Sequence, residues 1–259
     1  MSEAAARAMH PDPAGPPPWF TRLVAGLPRF TDSLLGRLTP PPEARPRQSA
    51  VLALFSAGED AGALGNGPDV LLTQRHAGLR SHAGQVAFPG GRLDPGDDGP
   101  RGAALREAQE ETGLDPAGVV VAGFAPRLWI PVTNYHVTPV IAWWERPSPV
   151  SASSRGEVER VVRVPLVELA DPVNRFMVVH PSGIAGPGFD VRGLFVWGFT
   201  AGVLTGLLTL GGWERRWDTS RLVPLPPQPT PAKAEAEQAV PDADADPRGV
   251  LRDEGRGHA

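Results

Sequence analysis

Apolar positions along this chain change rhythm several times, and each change marks an element. From Trp19 to Leu38 they recur at helical spacing, at Phe20, Leu23, Val24 and Leu27, then at Phe30, Leu34 and Leu35. That spacing predicts one or two short helices. Ala50–Phe55 (AVLALF) is a continuous apolar run, as expected of a buried strand, and Asp69–Arg75 (DVLLTQR) reads as a second strand. Gln85–Phe88 leads into a turn at Pro89-Gly90-Gly91, followed by a loop over Leu93–Gly99. Good helix formers then fill Gly102–Thr112, with Gly113 placed to stop the helix. Asp97 or Asp98 can cap its start, and Pro100 suits its first turn. Val119–Phe124, Thr138–Trp144 and Val158–Val164 read as strands, and Phe195–Leu210 as a closing helix. Strands, helix, more strands and a last helix predict an α/β (α+β) domain, a mixed β-sheet sandwiched between α-helices.

Composition divides the chain further. Residues 1–18 are rich in Ala and Pro and are expected to be disordered. Residues 19–47 hold the short helix and a proline-rich connector, and 48–223 form the folded domain. Residues 224–259 alternate Pro, Ala and acids, cannot bury enough apolar area to offset chain entropy, and read as a disordered tail. Between Gly193 and Trp213 no residue is charged, a length that can span a bilayer. Its repeated glycines and threonines favour a buried helix of a soluble domain, so no stable membrane insertion is expected.

Charge and cysteine content narrow the function. The net charge is −4 and the pI about 5.9. With no basic excess, nucleic acid is not an expected partner. The chain has no cysteine, which excludes disulfides, thiolate metal sites and cysteine nucleophiles. The first residues lack a signal-type apolar core, so a cytoplasmic location is expected. A homodimer is left open.

The candidate chemistry lies in Arg106-Glu107-Ala108-Gln109-Glu110-Glu111-Thr112-Gly113-Leu114. On a helix, Glu107, Glu110 and Glu111 share one face. Three carboxylates so close repel one another and call for positive charge, from Arg106 or from a bound divalent cation. An acidic helix face alone is commonly just solvated. Here the helix follows Phe88-Pro89-Gly90-Gly91, whose two glycines let backbone approach closely.

The block from Gly91 to Leu114 resembles the Nudix box: Gly, five residues, Glu, seven residues, then Arg-Glu-apolar-x-Glu-Glu-x-Gly-apolar. The second half matches at every specified position, with Ala108 as the apolar residue. The first half departs, because Asp97 stands where Glu is specified and eight residues, not seven, separate it from Arg106. Upstream, Leu71-Leu72-Thr73-Gln74-Arg75, Arg80, Gly84 and Phe88-Pro89-Gly90-Gly91 resemble the pattern of the coenzyme A pyrophosphatase branch, with His76 where Ser or Ala is usual. Val137-Thr138-Pro139-Val140 and Trp197-Gly198-Phe199-Thr200-Ala201 also look like that branch.

The resemblance implies a Nudix fold and a Mg²⁺- or Mn²⁺-dependent hydrolase of coenzyme A, with acyl-coenzyme A as a further substrate. The products would be adenosine 3′,5′-bisphosphate and 4′-phosphopantetheine. Glu107 and Glu111 would hold metal with Glu110 close by, and Arg106 belongs to the catalytic set. Either Glu107 or Glu157 would serve as general base. Arg75 and Arg80 suit bidentate phosphate contacts, and Gly90 and Gly91 line the substrate. His76, His82 and His136 are weaker candidates, and Trp129, Tyr135, Trp143 and Trp144 could stack on adenine, with core packing expected for the two strand tryptophans. ADP-ribose, NADH or deoxynucleoside triphosphates are the alternative substrates, and a nucleotide sensor without hydrolysis is the alternative class.

Overall fold

Strand β1 (Arg47–Ser56) runs parallel to β7 (Tyr135–Trp144) over nine paired positions, Arg47↔Tyr135 to Phe55↔Trp143. The computed structural model describes residues 15–30, 40–58, 67–79, 81–153 and 156–227. Covered on both faces, β1 and β7 have little use for polar alternation, which is why β1 reads as AVLALF. Beyond β7 lie β5 (Val119–Phe124) and β6 (Leu128–Ile130), both antiparallel to it. On the other side, β2 (Asp69–Arg75) touches β1 only at Phe55↔Val70 and Ser56↔Asp69, and carries β8 (Val158–Pro165) on its far edge.

That short β1–β2 contact opens a wedge. Into it go β3 (Val86–Ala87), paired with β2, and β4 (Gly90–Arg92), paired with β1. The peptide between them is held by Leu52 N–H donating to the Pro89 carbonyl at 2.8 Å. At Gly90, φ is +156°, and any Cβ would meet the backbone of Ala50 and Val51. The wedge thus delivers two glycines to one end of the next helix.

Helix α2 (Gly99–Thr112) covers one face of this eight-stranded sheet. Its Ala103, Ala104 and Ala108 are fully buried against Ala50, Leu52 and Leu54, and small side chains let the helix approach closely. Gly113, at φ +70°, ends it in the left-handed region and donates to Gln109. Asp98 occupies the N-cap position but makes no side-chain cap, and the start lies at Gly99 rather than Gly102. The opposite face packs Ala53 and Phe55 against α1 (Pro18–Gly26) and α4 (Gly198–Gly211). The earlier of the two predicted N-terminal helices is α1, while Leu34 and Leu35 lie outside the described residues.

A short helix, α3 (Leu166–Ala170), leads to a second sheet, with β9 (Arg175–Val179), β10 (Ala185–Val191), β11 (Leu194–Val196) and β12 (Leu222–Pro224) in the order β11-β10-β9-β12. This sheet corrects the expected closing helix over Phe195–Leu210. Phe195 and Val196 pair with Asp190 and Phe189 as strand, and the helix begins only at Gly198, whose φ is +63°. The uncharged segment is therefore part strand and part a 14-residue helix. Among the described residues no helix is long and apolar enough to cross a membrane. Arg175, 0% exposed, anchors the sheet. It donates to Glu214 at 2.7 Å and Thr205 at 3.1 Å, beneath the rings of Phe189 and Trp217.

Candidate functional site

The acids gather where α2 meets the Gly90–Gly91 peptide. Glu111 is only 6% exposed, and its carboxylate accepts from Gly90 N–H at 3.2 Å. Burial is the main force on its proton affinity, and with the charges of Glu107 and Glu157 it pushes the pKa up to about 7, against the Gly90 bond and the charge of Arg75. Glu107 packs against the bare face of Gly91, where a Cβ would collide with both carboxylate oxygens. Burial also raises the Glu107 pKa, opposed by Arg106.

Glu110 stands apart. Its side chain is 58% exposed and turns to Arg106 at 3.3 Å. Among the described residues no three acidic or histidine side chains converge into a ready-made metal cage. The three helical acids are neighbours, but only Glu107 and Glu111 reach the glycine peptide. Two carboxylates match the small protein share that Mg²⁺ usually takes. A buried carboxylate at 6% exposure, raised by its own desolvation and like-charged neighbours, fits a cation beside it.

Arg106 is occupied by protein on every side. Its Nε and Nη2 grip Asp97 at 3.0 and 3.1 Å, Nη2 also donates to the Arg92 carbonyl at 3.0 Å, and Nη1 reaches Glu107 at 3.1 Å. Asp97 holds the guanidinium pKa raised, and Arg106 in turn holds the Asp97 carboxyl below its usual range. The shorter Asp and the one-residue-longer loop thus still deliver a carboxylate to the arginine. Counting along the box marks Asp97, but only folding reveals its partner.

Glu157 is exposed, and its carbonyl accepts from His76 N–H at 2.8 Å, holding its loop against the end of β2. Arg75, the last residue of β2, acts electrostatically on Glu111 and keeps a buried Nε with no hydrogen-bond partner. Arg80 lies outside the described residues.

Beside the acids, on the sheet face opposite α2, opens a cleft of ≈ 500 Å³. Arg75, Gly91 and Arg92 border it, as do Tyr135, Trp197 and Phe199. Gly91 is therefore the shared wall, with Glu107 on one side and the cleft on the other. Trp143 and Trp144 are buried in the core, as expected, while Trp129 Nε1 donates to Asn134. His82 lines the cleft but is bonded to Gln85 at 2.8 Å. His76 Nδ1 accepts from Gly78 N–H, and burial lowers the pKa of His136. The roles of Arg92, Val132, Trp197 and Phe199 in the cleft wall were not signalled one by one, although Trp197–Ala201 stood out as a patch.

The NUDIX domain family model matches residues 46–179. The chain belongs to the Nudix family. Two relatives described as the uncharacterized Nudix hydrolase NudL, from Escherichia coli and Shigella boydii, are each 44% identical to it over 144 residues, covering 53% of this chain and 72% of theirs. The solved Nudix hydrolase of Alicyclobacillus acidocaldarius is 17% identical with a TM-score of 0.42, over 64% of this chain and 93% of that one. The Nudix match spans β1 to β9 and includes α2 with its acids. It makes the chain a hydrolase of acid anhydrides. Nudix hydrolases generally use divalent metals such as Mg²⁺ or Mn²⁺.

Proposed function

We propose that this Nudix protein hydrolyses the pyrophosphate of coenzyme A and its thioesters, yielding adenosine 3′,5′-bisphosphate and a 4′-phosphopantetheine. One observation carries the reading. The Leu71–Gly91 segment, whose spacing resembles the coenzyme A pyrophosphatase pattern, is also the segment that borders both acids and cleft. Arg75 from its first half acts on Glu111, and Gly90 and Gly91 from its second half contact Glu111 and Glu107.

Glu107 and Glu111 hold Mg²⁺ or Mn²⁺, with Glu110 at the rim. When bound, the cation neutralises the diphosphate and polarises its phosphorus. Arg75, joined by Arg80, grips phosphate oxygens, for which a planar guanidinium is suited. Arg106 is a positioning residue, because its donors are spent on Asp97, Glu107 and Glu110. Glu157 takes the proton of the attacking water. It is exposed and close enough to raise the Glu111 pKa, whereas Glu107 is engaged by Arg106. The water oxygen bonds to phosphorus as the bridging P–O bond breaks, and the departing phosphate carries off the charge.

The test is hydrolysis of coenzyme A, acetyl-coenzyme A, ADP-ribose, NADH and deoxynucleoside triphosphates with Mg²⁺ or Mn²⁺. The expected result is preferred cleavage of the coenzyme A compounds, with Glu157→Gln losing the limb of the pH profile that reports the base. Strong preference for another nucleotide leaves the acid chemistry standing and overturns the substrate. Binding of a nucleotide without cleavage overturns hydrolysis itself.

A further inference from the structure

Strand β4 sends neighbouring residues to opposite faces of the sheet, so it serves two regions at once. A Cβ on Gly91 would point at α2 and meet the Glu107 carboxylate. Arg92, the next residue, projects to the other face and borders the cleft there. Its backbone is pinned, because its carbonyl accepts from Arg106 Nη2 at 3.0 Å. Its guanidinium has no hydrogen-bond or ion-pair partner among the described residues.

Three more groups in the wall have hydrogens to give. Gln85 Oε1 is bonded to His82 at 2.8 Å, which leaves its Nε2 free. Tyr135 Oη and Trp197 Nε1 are also without a partner among the described residues. Both rings are braced by side chains outside the cleft. Arg47 lies over Tyr135 at 4.5 Å and donates to the Thr133 carbonyl at 3.3 Å, while His180 stacks on Trp197 at 6.2 Å and 24°. A braced ring loses little further freedom when it grips a ligand.

The kind of ligand follows from what these groups can do. A guanidinium, an amide N–H₂ and an indole N–H donate and cannot accept. No carboxylate lines the cleft, whereas Arg75 and Arg92 do, in a protein whose net charge is −4. The hydroxyls of Ser49 and Thr200 donate to backbone carbonyls at 2.6 and 3.0 Å, and both side chains are buried. A nucleobase edge presents donors and acceptors together, and an acyl chain carries no charge. A phosphate monoester is doubly charged and has three oxygens that accept.

We infer that this cleft reads a phosphomonoester on the substrate's ribose, separate from the diphosphate that is cut, with Arg92 as its main anchor and Tyr135, Gln85 and Trp197 as further donors. The inference rests on nucleotide hydrolysis at the acids. In the coenzyme A reading the group is the 3′-phosphate, and Arg92 is what sets coenzyme A apart from its dephospho form. Arg75 keeps the diphosphate at the Gly91 border, so the two guanidiniums divide the substrate's charges. One short strand then places the scissile group through its glycines and the remote phosphate through its arginine.

The experiment measures kcat/KM of the full chain with Mg²⁺ for coenzyme A and 3′-dephospho-coenzyme A, and for NADPH and NADH. Wild type is expected to favour coenzyme A over the dephospho form by about 30-fold or more, the scale of charge-assisted hydrogen bonds. Arg92→Gln should cut that ratio about tenfold and Tyr135→Phe about threefold. Arg92→Lys should keep more of it than Arg92→Gln, since the charge survives without the fork. The wild-type ratio should also fall as salt is raised. Tyr135→Phe removes a single oxygen from a half-buried ring, so it reports even where Arg92→Gln fails to fold. Wild-type rates within twofold for coenzyme A and its dephospho form overturn the inference and leave the coenzyme A reading intact. A wild-type preference that stays within twofold in both Arg92→Gln and Tyr135→Phe overturns it too, because the phosphate is then read elsewhere. Cleavage of neither coenzyme A compound, beside a preference for NADPH over NADH that Arg92→Gln removes, overturns the coenzyme A reading and upholds the inference. Equal cleavage of NADPH and NADH in that case overturns both.

Discussion

Two buried charge clusters in this protein are built on opposite terms. Around Arg175 a guanidinium with no exposure meets a carboxylate, a hydroxyl and two aromatic faces. Burial lowers the Arg175 pKa, and Glu214 opposes that shift. Around Glu111, burial raises the pKa and the nearest carboxylates raise it further, with one backbone bond and the charge of Arg75 in opposition. The first cluster sets opposite charges against each other, although burial still outweighs Glu214 and leaves Arg175 Nε without a partner, and it holds strands and helix together. The second sets like charges beside each other, which costs stability and, in the proposed function, suits it to a cation and a phosphate substrate. What separates the two is the like charge gathered around Glu111, where Arg175 has an opposite one.

The largest expected effect breaks the undercompensated side. Glu107→Gln should lower kcat/KM about 10³-fold while the protein stays folded, as steady-state kinetics and circular dichroism would show. Gly91→Ala comes next, at about 10²-fold, because its Cβ collides with the Glu107 carboxylate. Combined with Glu107→Gln, it should add much less than its own effect, since both act on one group.

The side with paired opposite charges should answer in stability. Glu214→Gln leaves Arg175 buried with a weaker partner, and denaturant unfolding should show a loss of about 3 kcal/mol. Activity per folded molecule should stay within about twofold, because neither Arg175 nor Glu214 borders the cleft or the acids. Asp97→Asn should be smaller still in effect, about a tenfold fall in kcat, as Arg106 loses the anchor that orients it.

How much of this could be read in advance follows from the range of the interactions involved. Asp69–Arg75 and Val119–Phe124 form strands residue for residue as their local pattern predicts, and Glu107 and Glu111 share a helix because their spacing places them there. Such features are local or periodic. The second sheet escaped because its strands are short, one of them reads AGPGFDV, and β12 pairs in parallel with a strand far back in the chain. Arg175 and Glu214 lie 39 residues apart, so neither marks the other. Asp97 was visible by counting, yet its grip on Arg106 depends on how the loop closes over α2. Glu110 shows the converse, since a helical repeat fixes its face but not the direction in which Arg106 draws its side chain.

Glu111 makes the sharpest test of the difference between the two clusters. Its pKa is about 7 when folded against an ordinary 4.5, so the folded state binds more protons between those values. Without metal, stability should therefore be greatest near the lower value and fall as pH rises towards and through 7. The decisive measurement is urea unfolding of wild type and Glu111→Gln at pH 5 and pH 8 in chelator, beside hydrolysis of coenzyme A with Mg²⁺. The expected result is a variant that is inactive, yet more stable than wild type at pH 8 and less dependent on pH. A variant that is less stable at pH 8, or one that retains full hydrolysis, would contradict the view that this carboxylate is kept undercompensated for catalysis.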